Sequence, residues 1–505
     1  NKQFLGRGEF ALAFGDYEVA ITVPSDHIVG STGVLQNESS VLSSEQRSRL
    51  KKARNSDSPV MIVTQEEAEE NEKSKAEGEK TWVFKAENVR DFAFASSRKS
   101  IWDAQNQPVA GKDILCMSYY PKEGNPLWER YSTKLVAHTV KTYSKYTVDY
   151  PYPVAISVHS KWIGMEYPMI CFNGGRPEAD GTYSERTKYG MWGVIIHEVG
   201  HNFFPMIINS DERQWTWMDE GLNTFVQYLT EQEWERGYPS RRGPAYLIAD
   251  YMRGDKDYIS PIMTNSESIW QFGNNAYGKP ATALNILRET IMGRELFDHA
   301  FKMYCERWAF KHPTPADFFR TMEDASAVDL DWFWRAWFFT TDHVDISLDE
   351  VNWYELNTMD PEVEKAAQKE ADENADKFIG DTRNKESIKE TVNERDDNID
   401  DFYAKRDIYE VDALHRKEYE QFKEGLTEDE LNLLNSGMQF YELKFSNIGG
   451  IPMPLILRFT FDDGSEEVIR VPAEVWRRSE HEITKVFMFE KQVDHILDLA
   501  EPDTF

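Results

Sequence analysis

Residues 10–23 place apolar side chains at Phe10, Leu12 and Phe14, then at Tyr17, Val19, Ile21 and Val23, a period of two interrupted at Gly15-Asp16. Alternation of this kind, broken at a turn signal, predicts an antiparallel β-hairpin with one covered face. Residues 42–80 are polar and charged without periodicity and read as an exposed loop, before strand-like sequence resumes over 82–95. The prediction is an N-terminal antiparallel β domain over 1–108 that the chain enters partway through. From 109 the pattern changes to alternating strand and helix. A strand over 113–119 precedes helical spacing at Tyr131, Leu135, Val136, Val140 and Tyr143, and Val154, Ile156 and Val158 alternate again. Beyond the turn at Asn173-Gly174-Gly175 the sequence is helical from about Lys188 to Phe339, giving an α/β domain over 109–345.

Periodicity then fades. Residues 361–430 carry 23 Asp or Glu and 12 Lys or Arg, too charged to bury a core, so 346–435 reads as an acidic connector, helical or partly disordered. Strands return over 440–461, turn at Asp463-Gly464 and end at Pro472, predicting a C-terminal β-sandwich over 436–505. The fold class is therefore multidomain α+β.

Charge and cysteine content narrow the partners. The 505 residues hold 57 basic and 88 acidic side chains, a net charge of −31 that repels phosphate and excludes nucleic acid as a natural partner. Three cysteines, Cys116, Cys171 and Cys305, cannot form a disulfide framework and suit buried thiols. No apolar run approaches the eighteen or so residues of a spanning helix. Compartment and oligomeric state stay open; any signal peptide would lie upstream of Asn1, and an envelope-associated, periplasmic or secreted location is expected over the cytoplasm.

The chemistry centres on His197-Glu198-Val199-Gly200-His201, an H-E-x-x-H run inside apolar, helix-forming sequence. On a helix, positions i and i+4 share a face, so His197 and His201 can meet one metal ion while Glu198, one step round, stands beside it as a general base. A third ligand is needed. Eighteen residues after His201 comes Glu220, followed by Gly221 and helix-like sequence for which Asp219 is a candidate N-cap. Two histidines and a carboxylate leave a fourth position open, which marks a catalytic zinc rather than a structural one.

H-E-x-x-H, eighteen residues, then Glu-Gly resembles the M1 family of zinc aminopeptidases, within the gluzincins. The run Ile163-Gly164-Met165-Glu166-Tyr167 is similar to the family's G-x-M-E-N exopeptidase motif, with its Met-Glu core intact. Tyr277-Gly278-Lys279-Pro280 resembles the Y-x-K-G run, with Pro280 in place of the glycine. The resemblance covers about residues 109–345 and implies a thermolysin-like catalytic domain holding one Zn2+ on His197, His201 and Glu220. It also implies peptide substrates with a free N-terminal amine bound by Glu166, substrate binding by Gly164 and Met165, and oxyanion stabilisation by Tyr277. The rivals are a gluzincin endopeptidase and a non-catalytic M1-like scaffold; Phe272 stands where an epoxide hydrolase of this family has a second tyrosine. His159, close to Glu166 in sequence, has no role assigned.

Overall fold

The computed structural model describes residues 5–161 and 164–498. Strand β1 (Gly15–Pro24) does not fold back on residues 10–14. It pairs antiparallel with a later strand (Glu79–Val89), which also takes the short strand Val34–Leu35 on its other edge. The expected hairpin is thus corrected: the apolar side chains before Gly15 serve packing, as where the Phe14 ring meets Phe310 at 5.6 Å. The expected loop over 42–80 is corrected too. It contains helices α1 (Ser44–Ala53) and α2 (Gln65–Glu72) with the strand Val60–Val63 between them. Each helix starts on a reciprocal capping box, Ser43 with Gln46 and Thr64 with Glu67, and few of their side chains are buried, Leu50, Ala53 and Ala68 among them.

The boundary expected at 108/109 falls inside a hairpin. The strand Ile101–Val109 pairs with Lys112–Tyr120 over its full length, and both belong to a six-stranded sheet. Its order runs from Met165–Tyr167 at one edge through Ile170–Asn173, Val154–His159, Lys112–Tyr120 and Ile101–Val109 to Val60–Val63. The sheet's central pairings are parallel and its outer ones antiparallel. Helix α3 (Leu127–Tyr146) buries Leu135, Val136, Val140 and Tyr143 beneath this sheet and beside helices α4 (Glu185–Gly200) and α5 (Leu222–Trp234). One apolar core runs through all of these elements.

The acidic segment holds five α-helical stretches between Pro361 and Leu434, and among its described residues only Val411 is buried. Its expected start shifts, because the strand Ile346–Glu355 pairs with Gln439–Asn447 and so belongs to the C-terminal unit. There two three-stranded sheets enclose a core of their own, with Leu443, Phe445, Leu457, Phe459 and Phe487 buried between them. Among the described residues no helix is long and apolar enough to cross a membrane.

Candidate active site

Helix α4 is capped by Ser184, whose hydroxyl accepts from Thr187 N at 3.1 Å, and its last turn carries His197 and Glu198, with His201 at the C-cap. Close packing of that turn requires Gly200. A Cβ there would overlap the Tyr143 hydroxyl and the Asn223 side chain, which hydrogen-bond to each other at 2.7 Å between α3 and α5. Glu220 arrives on a π-helical turn, Trp217–Gly221, that opens α5. Gly221 after it is equally constrained, since its Cβ would sit 2.7 Å from Pro280 Cβ, which ties the Glu-Gly pair to the residue that departs from the Y-x-K-G pattern.

Three ligand atoms converge. His197 Nε2 lies 3.0 Å from His201 Nε2 and 3.0 Å from Glu220 Oε2, and His201 Nε2 lies 3.3 Å from the same oxygen. The other nitrogen of each ring is already committed: His197 Nδ1 donates to Gln227 Oε1 at 2.8 Å and His201 Nδ1 donates to the Phe204 carbonyl at 2.8 Å. With both Nδ1 atoms protonated, the two Nε2 atoms present lone pairs, and three acceptors facing one another repel unless a cation lies between them. Ligands at 2.0 to 2.1 Å around a tetrahedral zinc stand about 3.3 Å apart, close to the spacings seen. These residues fit zinc. Asp219, expected as an N-cap, instead lies fully buried with Oδ1 2.9 Å from His201 Nδ1, a charge contact behind the ring.

The electrostatics agree. Burial would keep His201 neutral, yet Glu166, Asp219 and Glu220 push its pKa well above the usual histidine value. Burial alone would raise Glu220, but His201 and His197 reverse this and hold its carboxyl well below the ordinary range. The pocket is built to hold positive charge.

Glu198 is buried, and its Oε2 has no hydrogen-bond partner among the described residues. Burial, opposed by His201 and reinforced by Glu166, Glu220 and Glu9, pushes its pKa well above the carboxylate range, which suits a group that must accept and return a proton. Space for it comes from Gly164. At φ +54° a Cβ on this residue would lie 2.9 Å from Glu198 Cδ and overlap Oε1. We predict that Gly164→Ala, read as kcat on an aminoacyl amide, loses about ten- to a hundredfold, because a displaced base misses its proton by a fraction of an ångström. An unchanged kcat would show that Glu198 does not need this space.

Glu166, on the edge strand Met165–Tyr167, is also buried, with Oε1 lacking a partner among the described residues. Met165 neighbours it but does not line the cavity at the histidines, whereas Gly164 does; Ile163 lies outside the described residues. Tyr277, on the π-helical turn Gly273–Gly278, donates its hydroxyl to Glu220 Oε1 at 2.6 Å and stacks on His197 with ring centroids 5.7 Å apart. His159 stands apart from the site, its Nε2 accepting from Arg176 and its ring against Trp128.

Several site residues escaped the sequence reading. Gln227, which fixes the His197 tautomer, and Asn223, which donates to the His197 carbonyl at 2.9 Å, follow Glu220 at helical spacing, and that spacing was the available signal. Glu9 had none. It is held in place by its neighbours, as Gly8 N donates to Glu267 at 3.2 Å and Phe10 N to Glu212 at 3.0 Å, while Glu212 pairs with buried Arg90. Burial and the carboxylates Glu166, Glu220 and Glu212 push the Glu9 pKa up to about 9.

An α/β core that presents two histidines and a glutamate, with an oxygen of Glu198 alongside that is unpartnered among the described residues, has the ligand set of an H-E-x-x-H metal centre. Comparison with known proteins narrows the likeness: the model of the peptidase family M1 domain matches residues 131–337. Human glutamyl aminopeptidase is 26% identical over 152 residues, which are 28% of this chain and 16% of the relative. Probable aminopeptidase 1 of Sulfurisphaera tokodaii is 23% identical over 174 residues, 33% of this chain and 22% of the relative. The chain therefore matches under a quarter of the length of either relative. In fold it is similar to the crystal structure of Legionella pneumophila aminopeptidase A in complex with aspartic acid, with TM-score 0.53 and 12% identity over 96% of this chain and 43% of that one.

Proposed function

We propose that the protein is a zinc-dependent aminopeptidase that removes N-terminal residues from peptides, with one zinc per chain on His197, His201 and Glu220. The observation that carries this reading is the meeting of three metal-ligand atoms with two buried carboxylates on different elements, Glu198 and Glu166, each with one oxygen unpartnered among the described residues. When bound, the zinc supplies a Lewis acid that polarises the scissile carbonyl and makes water a competent nucleophile near neutral pH. Everything else falls to the chain's own side chains. Glu198 takes the proton of the attacking water and returns it to the departing nitrogen, so one carboxylate serves as base and then as acid. The Tyr277 hydroxyl turns from Glu220 to donate to the carbonyl oxygen as charge develops there. Glu166 pairs with the substrate ammonium, with Glu9 adding to the negative field around it, and so sets cleavage at the first peptide bond.

An endopeptidase would place no unpaired buried carboxylate where the amine belongs, so Glu166 favours the exopeptidase. The test is hydrolysis of a panel of free-amine aminoacyl amides by protein stripped with a chelator and then reloaded. Turnover lost on stripping and restored by about one equivalent of zinc supports the proposal. Turnover that is unaffected by stripping contradicts it.

A further inference from the structure

A cavity of about 510 Å³ opens from the site, lined by Gly164, Val194, Glu198, Gln227 and Tyr277, with Arg241 and Arg242 at its wall. Glu166 and Glu9 do not line it whereas Glu198 and Tyr277 do, and the part of the substrate beyond the scissile bond is assigned to it on that ground. Arg242 is partly buried, and its Cζ is 4.1 Å from the centroid of the Tyr277 ring, which holds it next to the reacting centre. Both guanidiniums lie in the field of Glu231, and Arg242 also in that of Glu220, but among the described residues no ion pair or hydrogen bond joins either to a carboxylate. The nearby acid Glu231 is already engaged, accepting from Gln227 Nε2 at 2.8 Å on one oxygen and from Ser240 at 2.5 Å on the other. In a chain with net charge −31, two adjacent arginines at the wall of this cavity face one nearby acid, Glu231, whose oxygens are taken by Gln227 and Ser240, which leaves their forks open to a further carboxylate. A desolvated cation is costly unless an anion meets it, and a guanidinium fork matches a carboxylate.

We propose that Arg242, with Arg241 beside it, is a carboxylate anchor on the leaving side of the site. The preferred substrates are then peptides bearing a carboxylate close behind the scissile bond. This rests on the aminopeptidase reading above and adds a specificity determinant to it. Two sources offer the same chemistry: the C-terminal carboxylate of a short peptide, or an acidic side chain just after the cleaved bond.

The experiment compares three peptides on the zinc-loaded protein: trialanine, its C-terminal amide, and the amide with aspartate as second residue. Charge-assisted pairing predicts kcat/KM at least about tenfold higher for one or both carboxylate-bearing peptides than for the neutral amide. In Arg242→Gln that gap closes while kcat on the neutral amide stays within about threefold of wild type, and Arg242→Lys restores part of the gap. Which peptide gains identifies the source. Equal kcat/KM for all three in wild type overturns the proposal, and so does an equal fall on all three in Arg242→Gln, which would mean that the arginine only supports Tyr277. Calorimetric titration of zinc-loaded Glu198→Gln with the same peptides reads the preference as affinity, independently of turnover, and equal affinities overturn it as well. Failure of the aminopeptidase reading looks different: the neutral free-amine amide is then not cleaved at all.

Discussion

Zinc-loaded Glu198→Gln protein is expected to turn over aminoacyl amides about 10³- to 10⁴-fold more slowly than wild type. The substitution keeps the volume and planarity of the side chain, so it fills the space beside Gly164 without disturbing the helix. It leaves His197, His201 and Glu220 untouched, and zinc content should stay at the wild-type level. What it removes is the ability to hold a proton between attack and departure. Burial and the neighbouring carboxylates Glu166, Glu220 and Glu9 already disfavour a charged Glu198, so a neutral isostere relieves repulsion. The melting temperature should be unchanged or higher. Measurement of kcat, metal content and melting temperature on one preparation checks all three, and a fall of less than about tenfold in kcat would remove Glu198 from the base position.

The second large effect concerns Glu166. Its carboxylate is buried on an edge strand with one oxygen unpartnered among the described residues, a costly arrangement unless a cation completes it. In the proposed function the substrate ammonium is that cation. Glu166→Ala is expected to lower kcat/KM on free-amine substrates by about 10²- to 10³-fold, the scale for removing one partner of a buried charge pair. Residual rates on amine-blocked substrates should move by less than about threefold. Parallel losses on both substrate types would assign Glu166 to folding, and Glu9, which neighbours it, would then be the remaining candidate for the amine.

Much of this site was legible because helical geometry is local. The i, i+4 spacing of His197 and His201 needs no tertiary information, and the structure puts both on one ion-sized triangle with Glu220. Glu220 could be named as the candidate third ligand from its place at the start of the next helix-like run, and the resemblance supports it, but the loop and π-helical turn that carry it back to His197 have no sequence rule. Glu9 illustrates the limit most clearly. It reaches the site through backbone hydrogen bonds to Glu267 and Glu212, more than two hundred residues away, and nothing in its own neighbourhood signals that. Arg242 was hidden for the same reason.

The fold was read well where periodicity reflects a buried face and poorly where it does not. Helix α3 and the strand Val154–His159 follow their apolar spacing because each packs on the core. The polar stretch after residue 42 was misread since α1 and α2 need only a few small contacts, while their capping boxes, Ser43 to Gln46 and Thr64 to Glu67, were there to be read. Residues 10–14 erred in the opposite sense. Their alternation mimics a strand, yet Phe10 N and the Leu12 carbonyl are taken by Glu212 and Asn209 side chains rather than by a neighbouring strand.

The most direct test of the central claim is the ratio of kcat/KM on an aminoacyl amide with a free amine to that on its N-acetylated counterpart, measured with zinc-loaded wild-type protein. A site that holds a buried carboxylate for the ammonium predicts a ratio of about 10⁴, the scale of rejection when a buried polar group loses its partner. A ratio near one, with both substrates cleaved in a zinc-dependent way, would contradict the aminopeptidase reading and leave an endopeptidase built on the same metal centre.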